Sequence, residues 1–540
     1  MDLDKLRPFS RFISDEELDT LDAYQLFDTL TVSLHSCPHH PLLWYNRARL
    51  LLKMGYNDQA AVDAERATNL TSSLSLKTVF ILSKLYFTVL DKANLKRETA
   101  ILQAETYYLY AQARTATPLR AECFLIALNA LQNMKKIAND YPDFRAKAEQ
   151  LEARVKKQYF DVLQGIKNAK LGEPDYEATA KYIDRPDMCG GRYPWDEWDA
   201  RGRTARTDDL ESLQALEKEY NDFLANLGAS KIEMKFRYSE TQPRDIQAGL
   251  FAKQPLRANE PVLHEKAAVQ VNNRLPLSAC QHCSTVCISI RTCPRCRTEV
   301  YCSDRCLKDA DAAYHRVLCG RDRYVQPLVE WVQGGTTGPA IIPLYMVKLF
   351  AWAKQTKTPL LELPGLRRLH PWSPVSGNKT YIIPPFMRRL YTNVLTAVDV
   401  EPEEWLDFDY WIFDTVYRML LVNIFEARGN PPNMHHQQRS WLYEAISWIN
   451  HSCDGNCLVS HEEVKTRRAV REGEELTYAY CYRDLPKKTR QEKLYATYGF
   501  ICACSACRAD KGEGMKGGGC GREWGWRRLL EVGVGFSEDR

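Results

Sequence analysis

Cysteine constrains this chain more than any other residue type. Of its 18 cysteines, Cys37, Cys123 and Cys189 lie in the first half. The others form one group from Cys280 to Cys319 and a second from Cys453 to Cys507, with Cys520 alone near the end. The opening stretch MDLDKLRPFSRF has neither the apolar core of a secretory signal nor the basic pattern of a transit peptide. No apolar run approaches the ~20 residues of a membrane span. The expectation is a protein of the nucleus, the cytoplasm or both, where closely spaced cysteines bind metal rather than form a disulfide framework.

The first group reads Cys280-x2-Cys283, Cys293-x2-Cys296, Cys302-x3-Cys306 and His315-x3-Cys319. Eight soft donors in four close pairs suit two tetrahedral zinc ions. Pairs one and three are expected to share one ion, and pairs two and four the other, as an interleaved cross-brace. So short a module has little core of its own, so metal binding supplies much of its folding free energy. Cys287 falls outside the pair pattern. In the second group, Cys502-x-Cys504-x2-Cys507 offers three donors and needs a fourth, for which Cys453, Cys457 and Cys481 are all candidates.

At 540 residues the chain has room for three or four domains. Hydrophobic residues at 45% and charged residues at 26% are ordinary globular values. Lys and Arg total 73 against 69 Asp and Glu. That balance, with no Arg/Lys-rich helix, argues against direct nucleic-acid binding. Lys465, Arg467 and Arg468 read as one solvated strand edge.

Residues 10–170 read as helical from apolar spacing of three and four. Pro41, Trp44, Ala48, Leu51, Gly55, Tyr56, Ala60 and Ala67 follow the tetratricopeptide pattern, a helix pair of about 34 residues. Segments 74–113 and 119–160 keep the helical period without the signature residues, so a plain helical bundle is the alternative. Residues 171–229 read as a connector, broken by Gly172, Pro174 and Pro186, packed through Trp195 and Trp198, and closed by a helix from Asp208 to Leu227 ahead of Gly228. The alternation Lys231-Ile-Glu-Met-Lys-Phe-Arg-Tyr238 predicts a strand. Residues 340–427 return to helix, and residues 455–480 form short strands. The Gly-rich tail from 509 reads as disordered.

Several motifs together carry a family likeness. The order and spacing of the first cysteine group, with Tyr301-Cys302-Ser-Asp-Arg-Cys306 and a His-x3-Cys ending, resemble the MYND zinc finger, which mostly binds protein segments. Asn450-His451-Ser452-Cys453-Asp454-Gly455-Asn456, Gly473-Glu-Glu-Leu-Thr-Tyr-Ala-Tyr480, Tyr498-Gly-Phe500 and the Cys-x-Cys-x2-Cys run resemble a SET domain with its post-SET zinc motif. Gly249-Leu250-Phe251-Ala252, with Pro255 and Glu260, matches the first SET segment, and Leu421-Val-Asn423-Ile-Phe425 the segment that ends a helical insert. A finger interrupting a SET domain is the pattern of the SET-MYND protein lysine methyltransferases, and the resemblance covers residues 230–508.

The resemblance implies an α+β multidomain chain. A tetratricopeptide-like helical arm (10–170) and the connector (171–229) precede a β-rich SET domain. Its first segment (230–279) is interrupted by the MYND finger (280–319) and a helical insert (320–430), followed by the SET core (431–482), the post-SET zinc region (483–508) and the tail (509–540). It also implies transfer of a methyl group from S-adenosylmethionine to a protein lysine, on a histone or another protein. In that reading Cys453 completes the zinc site with Cys502, Cys504 and Cys507, giving three structural zinc ions in all. Asn423, Asn450, His451, Tyr480 and Phe500 contact the cofactor, Tyr480 is the catalytic tyrosine, and Tyr498 lines the lysine channel. Tyr478 and Tyr482 are expected to be strand packing. Gln247 stands where the family usually has the first glycine of Gly-x-Gly. Gly455 stands where it usually has proline, a change expected to cost turn rigidity more than chemistry. The competing expectation is a non-catalytic adaptor of the same fold, recruiting protein partners through the finger and the helical arm.

Overall fold

The computed structural model describes residues 13–72, 92–116, 121–137, 141–168, 193, 210–238, 246–274, 279–334, 341–369, 387–426, 439–498 and 500–510. The tail from 511, Trp195 and Trp198 of the connector, and the side chain of Gln247 lie outside that description. The chain falls into two compact units, one made of residues up to Met188 with Val400–Trp411, the other of the remainder.

The first unit is built from helices whose ends are written into the sequence. Ser14 caps α1 (Asp15–Thr20) through a reciprocal pair of bonds with Glu17, and Asp22 caps α2 (Ala23–Ser36). Pro41 begins α3 (Pro41–Lys53), where its missing N–H costs nothing. Gly55, at φ 84°, then turns the chain into α4 (Asn57–Ser72). Ala48, Ala60, Ala64 and Ala67 are fully buried and let the helices approach, while Trp44 fills the space between. Next come α5 (Lys92–Thr115), α6 (Ala121–Ile137) and α7 (Pro142–Asn168), each packed on its predecessor around Phe124, Leu131, Met134, Leu151 and Val155.

A buried charge cluster runs through this unit. Arg47 grips both carboxylate oxygens of Asp63, at 2.6 and 2.9 Å, and reaches Asp409 at 2.8 Å. Arg66 completes it with Asp409 at 2.9 Å and Asp63 at 3.3 Å. Two guanidiniums and two carboxylates balance, which is what makes their burial tolerable; removal of one member typically costs about 3–5 kcal/mol.

The second unit opens with α8 (Leu210–Asn226), which ends where Gly228 takes φ +73°. Strands β1 (Ile232–Tyr238) and β2 (Ile246–Ala252) form an antiparallel hairpin. Strands β3 (Pro261–His264) and β4 (Val269–Asn272) lead to the finger, which holds β5 (Arg291–Thr292), β6 (Val300–Tyr301) and α9 (Asp304–Ala310). The insert supplies α10 (Asp322–Gly334), α11 (Ile342–Thr356), α12 (Met387–Val398) and α13 (Tyr410–Asn423), with Phe413 edge-on to Phe350 and Tyr391.

Short strands return after α13 as β7 (Ile424–Glu426), β8 (Arg439–Leu442), β9 (Asn450–His451), β10 (Cys457–Ser460), β11 (Glu463–Thr466) and β12 (Thr477–Tyr478), followed by α14 (Lys487–Tyr498) and α15 (Ser505–Ala509). They form three-stranded sheets β4–β8–β7 and β10–β11–β3 and the parallel pair β9–β12. The segment Val470–Leu476 lies along Leu250–Leu256 through bridges Phe251↔Glu475 and Leu256↔Val470. Leu250, Ala252, Ile446, Ile449, Val464 and Leu476 close the core beneath them. Among the described residues, no helix is long and apolar enough to cross a membrane.

Candidate functional site

The site gathers where β9 and β12 run side by side, with Asn450 opposite Thr477 and His451 opposite Tyr478. Glu265 fixes the approach to β9. Its carboxylate accepts the backbone N–H groups of Glu444 (2.7 Å), Ala445 (3.1 Å) and Ile446 (2.8 Å), pinning the turn that precedes Ile449. Burial pushes the Glu265 carboxyl up to about 7 against the opposing pull of those donors.

After β9 the chain folds tightly back over β12. Asn456 accepts the Thr477 N–H at 2.8 Å and donates to the Glu475 carbonyl at 2.8 Å. This draws Gly455 onto the strand so closely that a Cβ there would sit 2.5 Å from Tyr478 Cα and 2.6 Å from the Thr477 carbonyl oxygen. The expectation that Gly455 merely loosens a turn is therefore corrected: neither proline nor alanine fits this crossing. At Gly249 a Cβ would meet side-chain ends instead of backbone, Glu475 Oε1 at 2.8 Å and Asn450 Nδ2 at 2.9 Å, and these would have to shift to admit it.

Asn450 spends both protons of its amide nitrogen on the protein, donating to the Ala248 carbonyl and to Glu475 Oε1, each at 2.8 Å. Its Oδ1 is left without a partner among the described residues. Asn423 lies buried at the end of α13 with its amide turned back onto the Met419 carbonyl at 2.8 Å.

Tyr480 is held at both ends. Its hydroxyl donates to the Ile449 carbonyl at 2.8 Å, and its backbone N–H donates to His451 Nδ1 at 3.0 Å. Burial, then Tyr498 and Glu475, raise its phenol pKa, so it stays neutral near pH 7. Rings surround it: Tyr498 at 4.7 Å between centroids, Tyr478 at 4.8 Å and His451 at 5.1 Å. Phe500 adjoins Tyr498 at 6.3 Å and His451 at 5.9 Å, and Phe425 stacks behind Tyr478 at 6.1 Å. Tyr478 packs against the core from β12, as expected, and its ring also adjoins this aromatic group. Tyr482 is 62% exposed and packs no strand.

Among the described residues, twelve side chains able to ligate a metal meet in three groups, within each of which the donor atoms all lie within 4.8 Å of one another. Cys280, Cys283, Cys302 and Cys306 form one; Cys293, Cys296, His315 and Cys319 form another; Cys453, Cys502, Cys504 and Cys507 form the third. Neither Cys457 nor Cys481 joins that third group. The first two interleave along the finger. A tetrahedral zinc with Zn–S near 2.3 Å sets its sulfurs about 3.8 Å apart. The observed separations are 3.5 Å for Cys283–Cys302, 3.9 Å for Cys293–Cys319 and 3.5 Å for Cys453–Cys507. Four thiolates in the third group suit a closed structural site with no open position. Its excess negative charge faces donors: Arg490 Nη2 lies 3.7 Å from Cys507 Sγ, and His451 Nε2 3.3 Å from Cys453 Sγ. Tyr480, Tyr498 and Phe500 pack against this group.

Sequence reasoning missed three contributors: the Ile449 carbonyl, Glu475 and Phe425. Glu475 lies inside the quoted Gly473–Tyr480 motif, and Phe425 beside Asn423, so their neighbourhoods were marked although their contacts were not.

A SET domain family model matches residues 247–481. The SET domain and MYND-type zinc finger protein 6 of Schizosaccharomyces pombe is 24% identical over 43% of this chain and 43% of its own length. The human N-lysine methyltransferase SMYD2 is 24% identical over 48% of this chain and 57% of its own length. The human histone-lysine N-methyltransferase SMYD3 is 35% identical over 17% of this chain and 22% of its own length. The chain therefore spans little more than half, or less, of these relatives.

Proposed function

Because the chain belongs to the SET-MYND lysine methyltransferase family, we propose that it transfers a methyl group from S-adenosylmethionine to the ε-amine of a lysine in a protein. The observation that carries this reading is the placing of Asn450 on β9 and of Tyr480 two residues beyond the paired strand β12, beside one aromatic group. S-adenosylmethionine, when bound, supplies an electrophilic methyl on a sulfonium. Asn450 presents an amide oxygen that its own protein contacts leave open, an acceptor suited to the ammonium of an amino acid. Phe500 and Tyr498 offer half-buried ring surfaces, suited to an adenine and to the aliphatic stem of a lysine.

Tyr480 acts as a neutral phenol. Its proton is committed to the Ile449 carbonyl, and its phenol oxygen would orient the incoming amine and complement positive charge as it leaves sulfur. When occupied, the aromatic group would shield the amine from water and hold it for transfer. Three structural zinc ions hold the finger and the wall that carries Tyr498 and Phe500. The helical arm, read as tetratricopeptide-like, and the finger supply surfaces for protein partners.

Calorimetric titration of zinc-loaded protein with S-adenosylmethionine tests this without knowledge of the substrate. The expected result is saturable one-to-one binding that Asn450→Ala weakens by about tenfold or more. Folded protein carrying three zinc ions and binding no cofactor would overturn the enzyme reading in favour of the adaptor.

A further inference from the structure

We propose that His451 is a positioning residue whose imidazole ties the third metal group to the backbone of Tyr480. The inference rests on the reading of Tyr480 as catalytic and of the Cys453 group as a zinc site. It assigns a role to the side chain of His451 distinct from any cofactor contact of its backbone.

The tautomer follows from the partners. The backbone N–H of Tyr480 can only donate, so His451 Nδ1, 3.0 Å away, is an acceptor. In the neutral ring the proton then resides on Nε2, which points at Cys453 Sγ 3.3 Å away. A cysteine bound to zinc is a thiolate and accepts hydrogen bonds. Both ends of the ring therefore call for the same tautomer. Imidazoles beside metals are usually ligands themselves, with one ring nitrogen on the metal and the other hydrogen-bonded. Here the ring stands one step out, between the ligand and the reacting tyrosine.

The ring is also held in its plane, with Tyr480 at 5.1 Å and Phe500 at 5.9 Å. Tyr480 is thereby fixed from a single short stretch, by the Ile449 carbonyl at its hydroxyl and by His451 at its backbone. A shift of Cys453 passes through one rigid ring to the Tyr480 backbone, and misplacement of about 1 Å is enough to cost 10²-fold in rate. The metal thus sets the position of the reacting hydroxyl as well as the aromatic wall.

Two isosteric substitutions separate the two bonds. His451→Asn places an amide oxygen near the position of Nδ1, and His451→Gln an amide nitrogen near that of Nε2. Hydrogen exchange is followed on isotope-labelled tyrosine and serine amides of the full-length zinc-loaded protein, alongside zinc release to a chromogenic chelator. The Gln variant is expected to keep three zinc ions while the Tyr480 amide exchanges about tenfold faster or more. The Asn variant should restore that protection but lose the third zinc about tenfold faster. The Ser452 amide, bonded to the Tyr478 carbonyl at 3.1 Å, is the internal control for β9–β12. Unchanged Tyr480 exchange in the Gln variant would overturn the proposal, as would equal shifts of both readouts in both variants, the mark of simple packing. Should the Gln variant not fold, wild-type protein depleted to two zinc ions gives the same test. Tyr480 should open while Ser452 stays protected, and opening of both or neither would overturn the link. Cofactor titration of the same samples reports separately on the enzyme reading.

Discussion

The finger and the third cysteine group use the same donors to different ends. The finger draws all eight of its candidate ligands from residues 280–319, so its metal chemistry is local and its fold is closed on itself. The third group takes Cys453 from one side of the chain crossing and Cys502, Cys504 and Cys507 from 49 or more residues later. Its sulfurs are buried against Tyr480, Tyr498 and Phe500, whereas Val286, Ile288 and Ile290 of the finger face solvent. A metal that closes a short loop makes a module. One that closes a long loop fixes distant segments against each other, and here those segments carry Tyr498 and Phe500 and pack against Tyr480, the groups proposed to take part in methyl transfer.

The sharpest way to break this contrast is to remove one ligand from each region. Cys502→Ser and Cys302→Ser should each lower the zinc content from three ions to two, measured by metal analysis of the folded protein. Cys502→Ser should also weaken S-adenosylmethionine binding by about 100-fold or more, because the wall carrying Phe500 loses its anchor. Cys302→Ser should leave that affinity within about threefold. Equal losses would dissolve the distinction between module and strut.

Tyr480→Phe comes next. It removes one hydroxyl from a ring that keeps its aromatic neighbours. Zinc content and cofactor affinity should therefore be preserved, while methyl transfer to a protein substrate falls by about 10²-fold. Unimpaired transfer, read with radiolabelled cofactor, would remove Tyr480 from the chemistry.

How much of this was legible in the sequence follows the same division between local and distant. Ligand spacing in the finger reports on geometry because each donor pair spans one tight turn or one helical turn. The fourth ligand of the third group was open among Cys453, Cys457 and Cys481 on spacing alone, and only the motif around Asn450 singled out Cys453. Gly455 read as a loose turn because nothing in a sequence reveals that the loop presses on Thr477 and Tyr478. The Arg47–Asp409 pair, 362 residues apart, was invisible for a related reason. Charged residues on an amphipathic helix read as a solvated face until a distant partner buries them. Tyr482 failed in the opposite direction, since strand-rich tyrosine suggested packing where the side chain meets solvent.

The turn into β9 offers a pH-dependent test of the strut. Glu265 has its carboxyl raised to about 7 by burial, against an ordinary value of 4.5. Between those values the folded protein holds a proton that the unfolded chain has released. Stability from this group is fully present below pH 4.5 and is lost as pH rises through about 7, by about 3 kcal/mol at most. Denaturant titrations at pH 5 and pH 8 should show that slope, and Glu265→Gln should flatten it. Because Glu265 braces β9, the pH effect should appear in probes of Tyr480 before probes of the finger. A slope identical in the Gln variant would remove Glu265 as its source.

The smallest effect concerns how the finger, closed though it is, attaches to its surroundings. Lys348 of α11 is buried, and its ammonium donates to the carbonyls of Gln270 at 2.7 Å, Gln281 at 3.1 Å and His282 at 3.2 Å. It also lies 4.7 Å from the centre of the Tyr314 ring. Burial lowers its pKa to about 8, so it remains mostly charged at neutral pH, with its protons spent on strand β4 and on the first turn of the finger. Lys348→Met keeps the aliphatic stem but takes this donor from three carbonyls, of which that of Gln281 retains the Tyr314 hydroxyl at 3.1 Å, at a cost of about 2 kcal/mol. If the finger is a module, the loss should be confined to it. Two of the three zinc ions should reach a chelator faster, while the third, at Cys453, keeps its release rate and cofactor affinity is unchanged. Faster release of all three would mean that the finger and the cysteines around Tyr480 melt as one body, and the contrast between them would then be one of sequence spacing alone.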